Sequence, residues 1–269
     1  MKTARVIVCI LAFSLTLSQG GYLSVYGGAE MRISAQKKSE GIVSVDVKTD
    51  SDKRLRIGVE ALNSDMEYFF TYNKSEGEVN IPLMFGNGKY SIGLYEELSN
   101  KHYQLLDSYD LDLQLADYST VYLSSSVIVP WESAEAMIAK AAELTLNKKS
   151  DFEKFHAIYK FVTENIVYDM AKTTESGYRS SPDTTLNDGS GICLDIAVLL
   201  AAMLRSAGVK CKLVYGQAKD MSGLHSWNVV YFRNRWVIVD PTKDSQFYVS
   251  GISYRYAKLQ KDYKGIFTF

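Results

Sequence analysis

The chain has 269 residues, 46% of them hydrophobic and 23% charged, a composition that excludes intrinsic disorder and suits one large domain or two modest ones. Thirty Lys and Arg stand against 31 Asp and Glu, so there is no surplus of positive charge for a phosphate backbone or an anionic membrane, and nucleic acid is set aside as a partner. Three cysteines and three histidines are too few for a disulfide scaffold or a cysteine-rich zinc module.

Residues 1–20 have the three parts of a secretory signal. Lys2 and Arg5 form the positive start, Val6 to Leu17 the apolar run, and Ser18, Gln19 and Gly20 the small and polar exit. The expected mature chain begins near Gly21 and is secreted or extracellular. The apolar run falls short of the roughly 20 residues of a membrane-spanning helix, which leaves a retained N-terminal anchor as the lesser alternative.

Residues 21–128 read as an antiparallel β-sandwich-like domain of seven or eight strands. Val43, Val45 and Val47 alternate with their neighbours, as do Leu55, Ile57 and Val59, and Tyr90, Ile92 and Leu94. Turn-prone stretches such as Asn63-Ser64-Asp65 and Gly86-Asn87-Gly88 separate them.

After Pro130-Trp131 the spacing becomes helical, and residues 129–269 read as a second, α+β domain. A first helix is expected from Ser133 to about Leu146. Ser150 followed by Glu153 predicts a capping box, and Phe152, Phe155, Ile158, Tyr159, Val162 and Ile166 form one apolar face. His156 is expected at the edge of that face, partly buried.

Gly189, Gly191 and Cys193 lead into a helix with Ile196, Leu199, Leu200, Met203 and Leu204 as its apolar stripe and Gly208 at C′. Cys193 therefore falls at the helix N-terminus, where unpaired N–H groups and the macrodipole favour thiolate, the nucleophilic form. Three strands are expected next: Val209–Gly216, His225–Phe232 and Arg235–Asp240. A two-residue turn at Arg233-Asn234 pairs Phe232 with Arg235, placing His225 and Asp240 as diagonal neighbours on one face. A carboxylate there can orient the imidazole while the imidazole takes the proton of Cys193. Cys211 shares a face with Val209 and Leu213 and reads as core. A helix from 193 to 207 rises about 21 Å and a strand recovers only about 7 Å by Cys211, so Cys193 and Cys211 are too far apart for a disulfide.

The runs Gly191-Ile192-Cys193-Leu194-Asp195-Ile196-Ala197, His225-Ser226-Trp227-Asn228 and Trp236 to Thr242, in this order, resemble the core of the transglutaminase-like superfamily. The helix ending at Asn165-Ile166-Val167-Tyr168-Asp169 resembles the segment before that core, and the likeness covers about residues 130 to 245. It implies a papain-like arrangement with Cys193 as nucleophile, His225 as general base and acid, and Asp240 as the orienting carboxylate. The implied reaction passes through a thioester acyl-enzyme resolved by water or by an amine. Ser226 stands where many members have alanine and Val229 where many have glutamate, which leaves the substrate class open.

A lone helix-capping cysteine is more often a small buried hydrophobe, and Asp240 before Pro241 is equally a turn former. The three blocks together favour catalysis, on a protein or peptide substrate, with hydrolysis slightly ahead of amine transfer. The rival outside enzymology is an extracellular binding or scaffolding module that retains the fold. The backbone N–H of Cys193 is one expected oxyanion donor, with Asn187, Tyr168 and Tyr178 as candidates for the second. Asp195 favours the helix N-terminus but opposes the thiolate. Trp227 and Trp236 read either as walls of the site or as packing. No cofactor or metal is called for, since neither ligand spacing nor a phosphate-cradling motif is present. The first domain offers a surface for cell-surface or cell-wall material.

Overall fold

A computed structural model describes residues 13–17, 21–26, 29–99, 102–172, 174 and 177–269, with side chains described from residue 29 onward. Most of the expected signal segment lies outside the described residues. Among the described residues no helix is long and apolar enough to cross a membrane.

The chain divides into two compact units, one of residues 1–39, 43–79 and 87–114, the other of 40–42, 80–86 and 115–269. The division thus falls near Leu115, earlier than the change in sequence pattern at 128, and two short segments of the strand-rich half group with the second unit.

The first unit is antiparallel β. Strands β1 (Phe13–Leu17), β2 (Gly21–Tyr26), β3 (Ala29–Ser34) and β4 (Ile42–Thr49) follow one another across one sheet. Strands β5 (Leu55–Ala61) and β6 (Glu67–Tyr72) belong to another, and β7 (Val79–Pro82) follows in the chain. With β8 (Gly88–Ser99) and β9 (His102–Leu113) the second sheet has the order β6-β5-β8-β9. The three expected alternating triplets supply the core: Val43, Val45, Ile57, Val59 and Ile92 are fully buried and Val47, Leu55, Tyr90 and Leu94 nearly so. Each such side chain contributes about 1.5–3 kcal/mol by leaving water. Tyr72 ties the sheets together, its hydroxyl accepting from Val47 N at 3.0 Å and donating to Gly77 O at 2.8 Å.

The second unit places helices against an antiparallel sheet. Helix α1 (Glu135–Thr145) is followed by α2 (Asp151–Asn165), where Ser150 Oγ accepts from Glu153 N at 3.2 Å and Glu153 Oε2 accepts from Ser150 N at 2.9 Å, the expected capping box. His156 is exposed on α2, not partly buried, because it points off the stripe of Phe155, Ile158, Tyr159 and Val162. A short strand β10 (Val167–Tyr168), helix α3 (Pro182–Asp188) and a second short strand β11 (Ser190–Gly191) lead to α4 (Cys193–Ser206). Strands β12 (Cys211–Ala218), β13 (His225–Phe232) and β14 (Arg235–Val239) precede α5 (Pro241–Val249), and β15 (Tyr263–Thr268) closes the chain. The sheet order is β14-β13-β12-β15.

Helix α4 is more than a surface helix with one apolar stripe. Every residue from Asp195 to Arg205 is buried, Ala197, Val198, Ala201 and Ala202 included, so apolar side chains surround it. Its one cation, Arg205, is 3% exposed and finds backbone acceptors: Nε donates to Cys211 O (3.0 Å), Nη1 to Ser124 O (2.9 Å) and Nη2 to Phe269 O (2.9 Å). The guanidinium therefore pins the start of β12 and two distant parts of the unit, at Ser124 and Phe269, to the central helix.

The β13–β14 hairpin has the expected register, Phe232 opposite Arg235 and Asn228 opposite Val239. Arg233 and Asn234 both adopt positive φ, 51° and 57°, as a two-residue turn matched to strand twist requires.

Candidate active site

Cys193 is the first residue of α4 and is partly exposed. The turn ahead of it is tight: a Cβ on Gly191 would meet Asp195 Cβ at 2.6 Å, so glycine is what lets β11 approach the helix. Asp195 Oδ2 accepts from Ile192 N at 3.0 Å, pairing one of the N–H groups that the helix itself leaves free.

Asp195 does more than sequence reasoning assigned to it. It is fully buried and also receives Lys172 Nζ on Oδ2 and the Tyr178 hydroxyl on Oδ1, each at 2.7 Å. Burial opposes its ionisation, but these donors outweigh burial and hold the carboxyl below its ordinary value. Lys172 thus balances the charge expected to oppose the thiolate. Nothing in local spacing links residues 172, 178 and 195, so the sequence offered no signal for this cluster.

His225 opens β13 and is 2% exposed, and Asp240 is fully buried. The ring Nε2 donates to Asp240 Oδ2 at 2.8 Å, which leaves Nδ1 for the thiol. Asp240 departs from the strand in which the sequence reading set it. The ladder stops at Val239, and Asp240 is the N-cap of α5, its Oδ1 accepting from Lys243 N at 3.0 Å with Pro241 in the first helical position. Tyr263 of β15 donates to Oδ2 of the same carboxylate at 2.9 Å. Burial and then the charge of Asp240 push the Tyr263 phenol well up, so it stays a donor. No signal singled Tyr263 out among 19 tyrosines.

Electrostatics couples the three groups. Burial pushes the Cys193 thiol up, but the hydrogen bond and charge of His225, with the backbone of Ser226, together hold it below its ordinary value. Burial disfavours the His225 cation, yet hydrogen bonds to Asp240 and Cys193 and their charges raise the imidazole to about 9. Burial likewise opposes the Asp240 carboxylate, and His225, Lys243 N and Tyr263 outweigh it, so its pKa falls below the ordinary value. The arrangement favours a thiolate beside an imidazolium, held by a carboxylate whose lone pairs are already engaged.

The surroundings make His225 rigid. Trp227 stacks on its ring at 24° with centroids 6.2 Å apart and meets Tyr263 edge-on at 5.1 Å. Gly216, opposite His225 on β12, makes room for this: a Cβ there would meet Lys264 O at 2.1 Å and Trp227 Cη2 at 2.7 Å. Trp227 is therefore packing that supports the imidazole, whereas Trp236 packs on Tyr122 and Tyr231.

Of the three candidates for a second oxyanion donor, Tyr178 is committed to Asp195, and Asn187 borders a concavity shared with Ala136, Phe161 and Leu186. Tyr168 is the one whose phenol, pushed up first by burial, also feels the charge of Cys193. Tyr215 feels it too, and the sequence reading missed it. Cys211 is a buried free thiol raised by burial to about 12. Among the described residues no group of three or more His, Cys, Asp and Glu is arranged to hold a metal ion.

Residues 138–241 match the family model of the transglutaminase-like superfamily. Among curated proteins, kyphoscoliosis peptidase of Homo sapiens is 30% identical over 148 residues, 51% of this chain and 22% of the relative. Cytokinesis protein 3 of Schizosaccharomyces pombe is 23% identical over 236 residues, 78% of this chain and 26% of the relative. The chain spans only about a quarter of the length of these relatives. Among solved structures, the periplasmic domain of TgpA from Pseudomonas aeruginosa is 15% identical, with 90% of this chain and 77% of that one covered and a TM-score of 0.39.

Proposed function

Because residues 138–241 carry the transglutaminase-like core, we propose that this chain is a thiol enzyme that opens amide bonds of proteins or peptides outside the cell. The observation that carries the proposal is the buried His225–Asp240 bond of 2.8 Å aimed at a thiol of lowered pKa at a helix N-terminus.

In this reading the Cys193 thiolate attacks the amide carbonyl and forms the C–S bond. The carbonyl oxygen takes the negative charge, and the backbone N–H of Cys193 faces it, with Tyr168 as the side-chain donor. The carbonyl re-forms, the C–N bond breaks, and the His225 imidazolium gives its proton to the departing nitrogen. Water then loses a proton to His225 as it attacks the thioester, and the acid leaves as the thiolate is restored. Asp240 keeps Nε2 protonated throughout and so keeps Nδ1 toward the sulfur. Hydrolysis is favoured over amine transfer, in line with a relative named a peptidase. In this reading residues 1–20 serve as the secretory signal, whose removal takes β1 with it so that the mature sheet begins at β2, and the β-sandwich-like unit holds the enzyme near cell-surface or cell-wall material.

The test uses the reduced protein with Cys193→Ala and His225→Ala as comparators, incubated with a defined peptide pool. New peptide N-termini, or ammonia without amine incorporation, that require both residues support hydrolysis. Incorporation of a labelled amine turns the reading to transfer. A Cys193 that alkylates from pH 4 to 9 like an ordinary thiol, with or without His225, overturns catalysis in favour of a binding module.

A further inference from the structure

A cleft of about 320 Å³ opens between β10 and α5, lined by Val167, Tyr168 and Met170 on one side and by Gln246, Val249 and Ser250 on the other. Its volume lies at the small end of ligand sites, enough for one large side chain. None of its lining residues is charged. The Ser245 hydroxyl in its wall is already spent on Thr242 O at 3.0 Å. Met170 is 87% exposed, Val249 67% and Val167 46%. Single exposed apolar residues are ordinary; three around one concavity form a surface that loses free energy to water until something apolar covers it.

The cleft adjoins the thiol through covalent and hydrogen-bonded neighbours. Tyr168 is the register partner of Gly191, two residues ahead of Cys193, and Asp169 N donates to Gly191 O at 3.0 Å. The opposite wall, α5, is capped by Asp240. One wall is therefore tied to the nucleophile, and Tyr168 in that wall also feels the charge of Cys193, so the cleft borders the place where an amide meets the thiol.

We infer that this cleft is a specificity subsite that takes an uncharged apolar side chain, of the leucine, methionine or phenylalanine class, flanking the amide presented to Cys193. The inference rests on the proposed thiol chemistry and adds to it the class of sequence selected. A glutamate or lysine there would lie against Val167, Met170 and Val249 and meet no opposite charge among the lining residues.

Pentapeptides carrying a chloroacetyl group on a central side chain test it, with either flanking residue set to Leu, Phe, Gly or Glu. Attack of the thiolate on the methylene carbon forms the S–C bond and expels chloride. At pH 9 even an unactivated thiol is largely ionised, so the ratio of rates between peptides is readable whether or not Cys193 is activated. The expected Leu-to-Glu ratio is about tenfold or more at one flank. It falls to about one, or inverts, in Val249→Lys and Met170→Lys, and persists in Ile266→Lys, a control on exposed β15. A ratio within about twofold in the wild-type protein, or one that survives both cleft substitutions, overturns the inference. Failure of the thiol chemistry shows separately, as iodoacetamide kinetics from pH 4 to 9 that do not depend on His225.

Discussion

Replacing Asp240 with asparagine removes one negative charge while keeping the side-chain shape and the capacity to cap α5, since asparagine caps about as well as aspartate. In the native protein the His225 imidazole rises from 6.5 to about 9 although burial opposes its charge. That rise corresponds to roughly 3 kcal/mol of preference for imidazolium. The hydrogen bond to Asp240, at 2.8 Å between groups 2% and 0% exposed, is the largest favourable contribution, followed by Cys193. Losing most of that preference returns the imidazole to the region of its ordinary value, and the thiolate paired with it weakens in step. The expected result is a fall of about tenfold to a hundredfold in alkylation of Cys193 by iodoacetamide at pH 5.5, with a much smaller difference at pH 9, where a thiol ionises unaided. Mass spectrometry of the Cys193 peptide reads the rate, and the NMR titration of the His225 ring reads the imidazole directly. Stability follows the same sign. A group whose folded value lies above its unfolded one stabilises fully below about 6.5 and loses that contribution as pH rises through about 9. Asp240→Asn therefore costs most near pH 6 and least above pH 9 in urea titrations. An asparagine variant that alkylates at pH 5.5 within about twofold of the native protein refutes the coupling argued for the site.

Lys172→Met strips the cation from fully buried Asp195, leaving the carboxylate with Tyr178 and Ile192 N. About 2–4 kcal/mol of destabilisation is expected at pH 7 by calorimetry. Because the Asp195 carboxyl is held low, that difference shrinks as pH falls through the acid range. Arg205→Lys cannot reach Cys211 O, Ser124 O and Phe269 O at once, and loss of the fork should lower the urea-derived stability by about 2–3 kcal/mol; a change under about 0.5 kcal/mol would refute its bridging role. Cys211, raised to about 12 by burial, should stay unlabelled in the native protein at pH 8 and label on unfolding, and Cys211→Ala should leave the pH profile of Cys193 alkylation unchanged.

What local chemistry encodes was legible before any coordinates. Alternating Val43, Val45 and Val47 face a core because strand side chains alternate, Ser150 and Glu153 cap α2 because they stand three residues apart, and Arg233-Asn234 reverses the chain with the register that brings His225 toward Asp240. Each of these rests on neighbours within a few residues, where backbone geometry fixes what meets what. Cys193 at the head of α4 was legible for the same reason.

The remainder depended on residues far apart in the chain. Asp240 leaves its strand to cap α5, and Tyr263, 23 residues on, supplies the donor that completes it. Asp195 gathers Lys172 and Tyr178, and Arg205 collects carbonyls from Ser124 and Phe269. An aspartate or arginine has no periodicity that foretells its partner; its burial is tolerable only where folding has brought compensating donors or acceptors around it. The amino-acid order by itself determined the alternating strands, the capped start of α2, the place of Cys193 at the head of α4 and the β13–β14 turn, whereas only the tertiary structure decided how each buried charge is matched, and with it the ionisation of the thiol, imidazole and carboxylate.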